Sequence, residues 1–145
     1  MNSKVKMADE IFNNGFNCAQ AVLSSYSMEY GLDTEIAKKI AGAFGGGIAN
    51  NGEICGAITG ALMLIGLKYG KHKEGDNVSK EKTNKIANEY IKIFKKEYGS
   101  IICKDLLKYD LSIEEEAKIA RESGLFKTLC PKFVKKSVEI IEEII

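Results

Sequence analysis

An all-α fold, an irregular bundle of six to seven helices forming one domain over residues 1–145, is what three features of this sequence predict. Proline occurs once, at Pro131, so almost nothing interrupts helical backbone. No run alternates apolar and polar residues long enough to mark a strand, and apolar residues recur instead at spacings of three and four. Hydrophobic residues make up 45% of the chain, enough to fill a core without disulfide support.

The first helix is expected over about residues 3–13, with Val5, Ala8 and Phe12 on one face and Asn13-Asn14-Gly15 as its stop. Asn17 caps the second, with Gln20 as its capping-box partner; Ala19, Val22, Leu23, Tyr26 and Tyr30 form the stripe and Gly31 the end. Asp33 caps a third, whose face is Ile36, Ile40 and Phe44 until Gly45-Gly46-Gly47 stops it. A glycine-rich loop runs to Gly52. The apolar stretch Ile54–Leu67 falls short of the roughly 20 residues a membrane span needs, so it predicts a buried helix over about 54–69. On that helix Gly56, Ala57, Gly60 and Ala61 leave one side nearly bare, which admits close packing inside the chain or a homodimer contact. Ser79 opens a long helix striped by Ile86, Tyr90, Ile93, Phe94 and Tyr98 and closed by Gly99. A short helix or turn covers Ile101–Lys108; Ser112 and Glu115 form a capping box for a helix ending at Gly124. Pro131 suits the first turn of a last helix lined by Val134, Val138, Ile141 and Ile145.

Charge narrows the function. Lys+Arg of 21 against Asp+Glu of 20 gives a net charge of +1 with no basic block, so nucleic acid is not an expected partner. The N-terminal residues show no signal-peptide core, which points to a cytoplasmic protein that does not span a membrane. In that reducing compartment four cysteines predict catalysis or metal binding rather than a permanent disulfide framework.

The four, Cys18, Cys55, Cys103 and Cys130, are far apart, so any shared site must be assembled by the fold. Each stands near a predicted helix start: Cys18 after Asn17, Cys55 after the glycine loop, Cys103 after Ser100, Cys130 before Pro131. Unpaired amides and the positive end of the helix dipole there favour thiolate, the form that is both redox nucleophile and metal ligand. Two chemistries remain open. Two of the cysteines cycle between dithiol and disulfide, attack starting at Cys18 or Cys55 and the rest supporting or relaying. Alternatively all four hold an iron–sulfur cluster or a zinc ion. A helical interaction module with inert buried thiols is the bland rival.

Cys18, Cys55-Gly56-Ala57-Ile58-Thr59-Gly60, Cys103 and Cys130, in that order over nearly the whole chain, resemble the prokaryotic family of redox-active proteins named for the pattern C, GCAxxG, C, C. Here Ile54 precedes the second cysteine and Gly56 follows it. The resemblance implies a small four-cysteine protein with redox activity, an unidentified redox partner and a functional link to a transporter encoded nearby. Within the motif, Gly56 leaves room beside the Cys55 sulfur for a substrate, cofactor or second thiol, and Gly60 permits close packing behind it.

Gly45-Gly46-Gly47 lacks the strand before it and the Gly-Lys-Ser/Thr after it that a phosphate loop requires. Gly46 and Gly47, with Gly56, are instead expected to bring backbone close to whatever Cys55 binds. Glu53 is a candidate proton acceptor for Cys55. His72, the only histidine, lies between Lys71 and Lys73 and reads as a solvated loop residue.

Overall fold

A computed structural model of the chain describes residues 2–145, and among them it has helices and no strand. The helices are α1 (Ser3–Asn13), α2 (Cys18–Tyr26), α3 (Thr34–Ile40), α4 (Gly56–Tyr69), α5 (Asn77–Tyr98), α6 (Cys103–Leu107), α7 (Glu114–Glu122), α8 (Leu125–Thr128) and α9 (Cys130–Ile144), with a 3₁₀ turn at Ser27–Tyr30 after α2. The excess over the expected six to seven comes from the very short α6, which falls where a short helix or turn was expected, and α8, which too few residues define for periodicity to register. The all-α irregular bundle is the fold predicted. No described helix is long and apolar enough to cross a membrane.

α2 and α4 form the centre. Ala19, Ala21, Val22 and Leu23 of α2 and Ala57, Ile58, Ala61, Leu64 and Ile65 of α4 are all buried. Packing is tight because α4 lacks side chains where α2 crosses it: a Cβ on Gly60 would stand 2.8 Å from the Ala19 carbonyl oxygen. The small-residue face offered above as a homodimer contact is therefore covered by α2 within one chain. α1, α5 and α9 close the core around this pair, α9 contributing Phe133, Val134, Val138, Ile140 and Ile141. Phe94 and Tyr98 of α5 meet Phe133 with ring centroids 6.3 and 5.0 Å apart.

Three element boundaries differ from expectation. α3 stops at Ile40, and Ile36 and Ile40 are 50% and 51% exposed; the buried face is Ala37 and Ala41. Alanine lets α3 sit close against α2, where the Gln20 side-chain amide donates to the Lys38 carbonyl, so the small residues face inward. α5 is capped by Asp76, which accepts from the Ser79 N–H and hydroxyl, so Ser79 is the third helical residue. At α7, Ser112 donates its N–H and hydroxyl to Asp110, a stronger charged acceptor, and the expected capping box does not form.

A buried polar bridge joins the central helix to the shell. Ser137 of α9 donates its hydroxyl to the Ala57 carbonyl at 2.7 Å and lies 2.5 Å from the Tyr90 hydroxyl. Burial raises the Tyr90 phenol well above its ordinary value, so it remains a neutral hydrogen-bonding group. Ser137→Ala leaves buried polar atoms short of a partner and is expected to destabilise the fold by about 2 kcal/mol, read as a lower urea midpoint at unchanged slope.

Candidate functional site

Each cysteine is held at a helix start. Cys18, Cys103 and Cys130 are the first residues of α2, α6 and α9, and Cys55 is the N-cap of α4. Pro131, needing no N–H in the first turn, sets the start of α9 as its sequence implied. For Cys18 the predicted capping box is present: Asn17 accepts from the Gln20 N–H and the Gln20 side chain accepts from the Asn17 N–H, both at 2.8 Å. The Asn17 amide also donates to the Ala41 and Gly42 carbonyls, fixing the start of α2 against the end of α3.

Local backbone pairing brings the second and third cysteines together. Ile54 and Ile102 form an isolated antiparallel bridge. Cys55 N–H donates to the Ile101 carbonyl at 2.8 Å, and Cys103 N–H to the Glu53 carbonyl at 2.6 Å. Gly56 then brings the first and second together: a Cβ on it would stand 2.9 Å from the Ala19 nitrogen and 3.1 Å from the Cys18 Cβ. The room anticipated beside Cys55 is thus taken by a second thiol.

All four cysteines line one cavity of about 210 Å³. They are free thiols, each buried but for 5–9% of its surface. Gly46, Gly47 and Gly56 line it too, as expected of backbone close to the Cys55 site. The remaining wall is mostly aromatic and aliphatic, including Phe12, Leu111, Phe126 and Phe133, with Asn17 and Asn50 as the polar side chains besides the thiols. Glu53 is exposed and outside the lining, so its side chain is not placed to take a proton from Cys55; His72 is exposed in its loop.

The aromatic and aliphatic walls were not singled out from sequence, though a signal existed. Phe126 and Phe133 lie four before and three after Cys130, and Leu106 and Leu107 three and four after Cys103, spacings that share a helix face.

The thiols are electrostatically unequal. Cys55 is held below its ordinary value chiefly by the Cys18 S–H donating to it, against burial, which raises it, with smaller help from the Ala57 and Ile58 N–H groups at the start of α4. Cys18 is raised well above its ordinary value, because its proton is shared with Cys130 and Cys55 and its site is dry. Cys103 is pushed up to about 12 by burial, with the charges of Cys55, Cys130 and Asp110 adding to it. The expectation that a helix start favours thiolate therefore fails for Cys18 and Cys103, and at Cys55 the direction agrees but the chief cause is the neighbouring Cys18 thiol. A dipole worth a fraction of a kcal/mol does not overcome desolvation without a direct donor.

Among the described residues no three cysteine, histidine or carboxylate side chains converge closely enough to hold a metal ion. The donor set does not fit a zinc ion as it stands. The arrangement defines a buried dithiol site: one thiol poised to ionise, a protonated neighbour donating to it, and two further thiols on the same wall. A family model described as "Putative redox-active protein (C_GCAxxG_C_C)" matches residues 16–144, and the chain belongs to that family, as its cysteine pattern indicated. No curated protein and no solved structure shows a significant match to it.

Proposed function

We propose that the protein is a thiol–disulfide oxidoreductase of a reducing, cytoplasmic compartment, with Cys55 as the attacking thiolate and Cys18 as the resolving thiol. The observation that carries this reading is the convergence of Cys18 and Cys55 on one small cavity, with Gly56 set against the Cys18 Cβ; there the Cys55 thiol is held toward ionisation and the Cys18 thiol is held protonated. Cys55 thiolate attacks an acceptor disulfide and forms a mixed disulfide, releasing one thiolate that takes a proton. Cys18 gives up its proton and attacks the Cys55 sulfur, releasing the second thiol and closing a Cys18–Cys55 disulfide. Two cysteine thiols and one acceptor disulfide thus become one protein disulfide and two thiols.

Cys130 can extend the cycle. Its thiolate, attacking Cys18, forms Cys18–Cys130 and returns Cys55 as thiolate, a relay favoured by the Cys18–Cys130 contact. Cys103, held protonated, packs against the loop at Gly47 and supports the site.

The test is a thiol count and disulfide map on protein purified without oxygen, with metal and acid-labile sulfide measured alongside. Metal-free protein that loses two thiols on mild oxidation, mapped to Cys18 and Cys55, supports this reading. Iron or zinc near one equivalent, with thiols shielded until it is removed, would replace it with the four-thiolate centre. Four thiols inert to oxidant would leave the structural role alone.

A further inference from the structure

The cavity that holds the thiols also states what it admits. Among the described residues lining it none is a lysine, arginine, histidine or carboxylate, so the charge the site holds is the Cys55 thiolate's own. The carboxylate that acts on the site, Asp110, lies outside that lining and bears on Cys103, adding negative potential. An anion carried into such a site leaves water without a counter-ion, and a dication has at most the one thiolate that the reaction consumes, so each is desolvated at a large cost. A disulfide bearing carboxylates lacks a cation to meet it, and one bearing ammonium groups must strip them against Phe and Leu walls.

Size restricts the choice further. About 210 Å³ is below the roughly 300–1,000 Å³ of sites for drug-sized ligands. The sulfurs sit beneath a rim whose more exposed members are Asn50, Phe12 and Phe126. A cavity of that size accommodates a small disulfide whole and falls short of a folded protein's disulfide with its flanking chain.

Resting on the thiol–disulfide reading above, we infer that the acceptor is a small, uncharged, largely apolar disulfide, which enters the cavity whole. The reaction is the one already balanced: the acceptor R–S–S–R takes two electrons and two protons from Cys55 and Cys18 and leaves as two R–SH molecules. Nothing further is consumed. The apolar wall selects by desolvation, Asn50 offers its amide to a neutral polar tail, and Cys18, on the same cavity, supplies the second sulfur.

The experiment uses the fully reduced full-length chain and three disulfides of matched size: bis(2-hydroxyethyl) disulfide, which is neutral, cystamine, a dication, and dithiodiglycolate, a dianion. The rate of Cys55 loss is followed by mass spectrometry, and each rate is divided by that of the same reagent with β-mercaptoethanol to remove intrinsic reactivity. The neutral reagent is expected to be favoured by about tenfold or more over each charged one. Less than tenfold over either overturns the inference. Phe126→Lys, at a half-buried rim position that tolerates a long side chain, is expected to cut the neutral-to-anion preference by about fivefold or more; a smaller change removes the rim as the selecting element and overturns it as well. If Cys55 and Cys18 pair under diamide and show no charge preference among the three reagents, the acceptor class is wrong and the redox reading stands. If they do not pair under any oxidant, both fall.

Discussion

Cys55→Ser is expected to slow alkylation of the native protein by a small neutral reagent at pH 7 by about two orders of magnitude, since thiolate is the reacting species. Cys55 is lowered, while Cys18 is raised and Cys103 is pushed up to about 12, so neither of those two replaces it near neutrality, and the comparison is made in a Cys130→Ser background that removes the fourth thiol. The same substitution removes the Cys18–Cys55 disulfide from the oxidised map. Cys103→Ser is expected to leave both measurements within about twofold, its thiol being protonated throughout. The pH profile carries the sign of the argument. A lowered thiol ionises earlier, so the wild-type alkylation rate rises with a midpoint below the about 8.5 of a free cysteine. Cys18→Ala removes the first cause of that lowering, the S–H donor, and moves the midpoint upward while the Ala57 and Ile58 amides remain. With a disulfide substrate the same variant accumulates the mixed disulfide at Cys55, because no resolving thiol follows. A wild-type midpoint at or above that of free cysteine, or an unchanged midpoint in Cys18→Ala, would contradict the assignment.

Much of this architecture is written locally, and the local part was readable. α1 occupies the expected residues because the Val5–Ala8–Phe12 periodicity and the Asn13-Asn14-Gly15 stop agree. The Asn17–Gln20 capping box and Pro131 fix helix starts through groups within three residues of one another. The order and setting of the cysteines were readable for the same reason. Their convergence was not, since it depends on how α2, α4, α6 and α9 are placed, and that placement rests on missing side chains: Gly56 against Cys18, Gly60 against Ala19. A glycine in a sequence announces freedom without saying which neighbour exploits it. α3 shows the opposite failure. Its two isoleucines suggested a buried face, yet Ala37 and Ala41 face the core because the space against α2 is narrow. The unequal acidity of the thiols was equally hidden: all four share a helix start, and what separates them is direct donors and desolvation, both products of tertiary structure.

The loop before Cys55 leads to the largest expected effect on stability. Residues 46–50 all have positive φ, from 50° to 71°, a left-handed turn that includes Ile48 and Ala49 as well as Gly46, Gly47 and Asn50. For residues with a Cβ that conformation costs about 1–2 kcal/mol each, so the turn persists only because its surroundings impose it. They do so through backbone bonds: Ala49 N–H to the Ala43 carbonyl at 2.7 Å, Asn50 N–H to Gly45, Gly52 N–H to Gly46 and Glu53 N–H to Gly47 at 2.8 Å. The last of these continues into the Glu53–Cys103 bond, so the turn, the Ile54–Ile102 bridge and the start of α6 form one connected frame behind the thiols. Gly47 is where backbone presses closest in that frame. A Cβ there would meet the Glu53 nitrogen at 2.5 Å and the Cys103 Cβ at 2.6 Å, with backbone on one side and a buried helix start on the other, so neither neighbour can yield cheaply. Gly47→Ala adds the left-handed penalty to this overlap and is expected to destabilise the protein by about 3 kcal/mol or more, roughly 10 °C in Tm for a chain of this length. Gly75→Ala is the comparison: its φ of +81° carries the same backbone penalty, but nothing lies within 4 Å of the added methyl. It is expected to lose only about 1–2 kcal/mol. Thermal unfolding of the two variants separates conformational strain from steric overlap, and equal losses would show that the frame behind Cys103 can move aside.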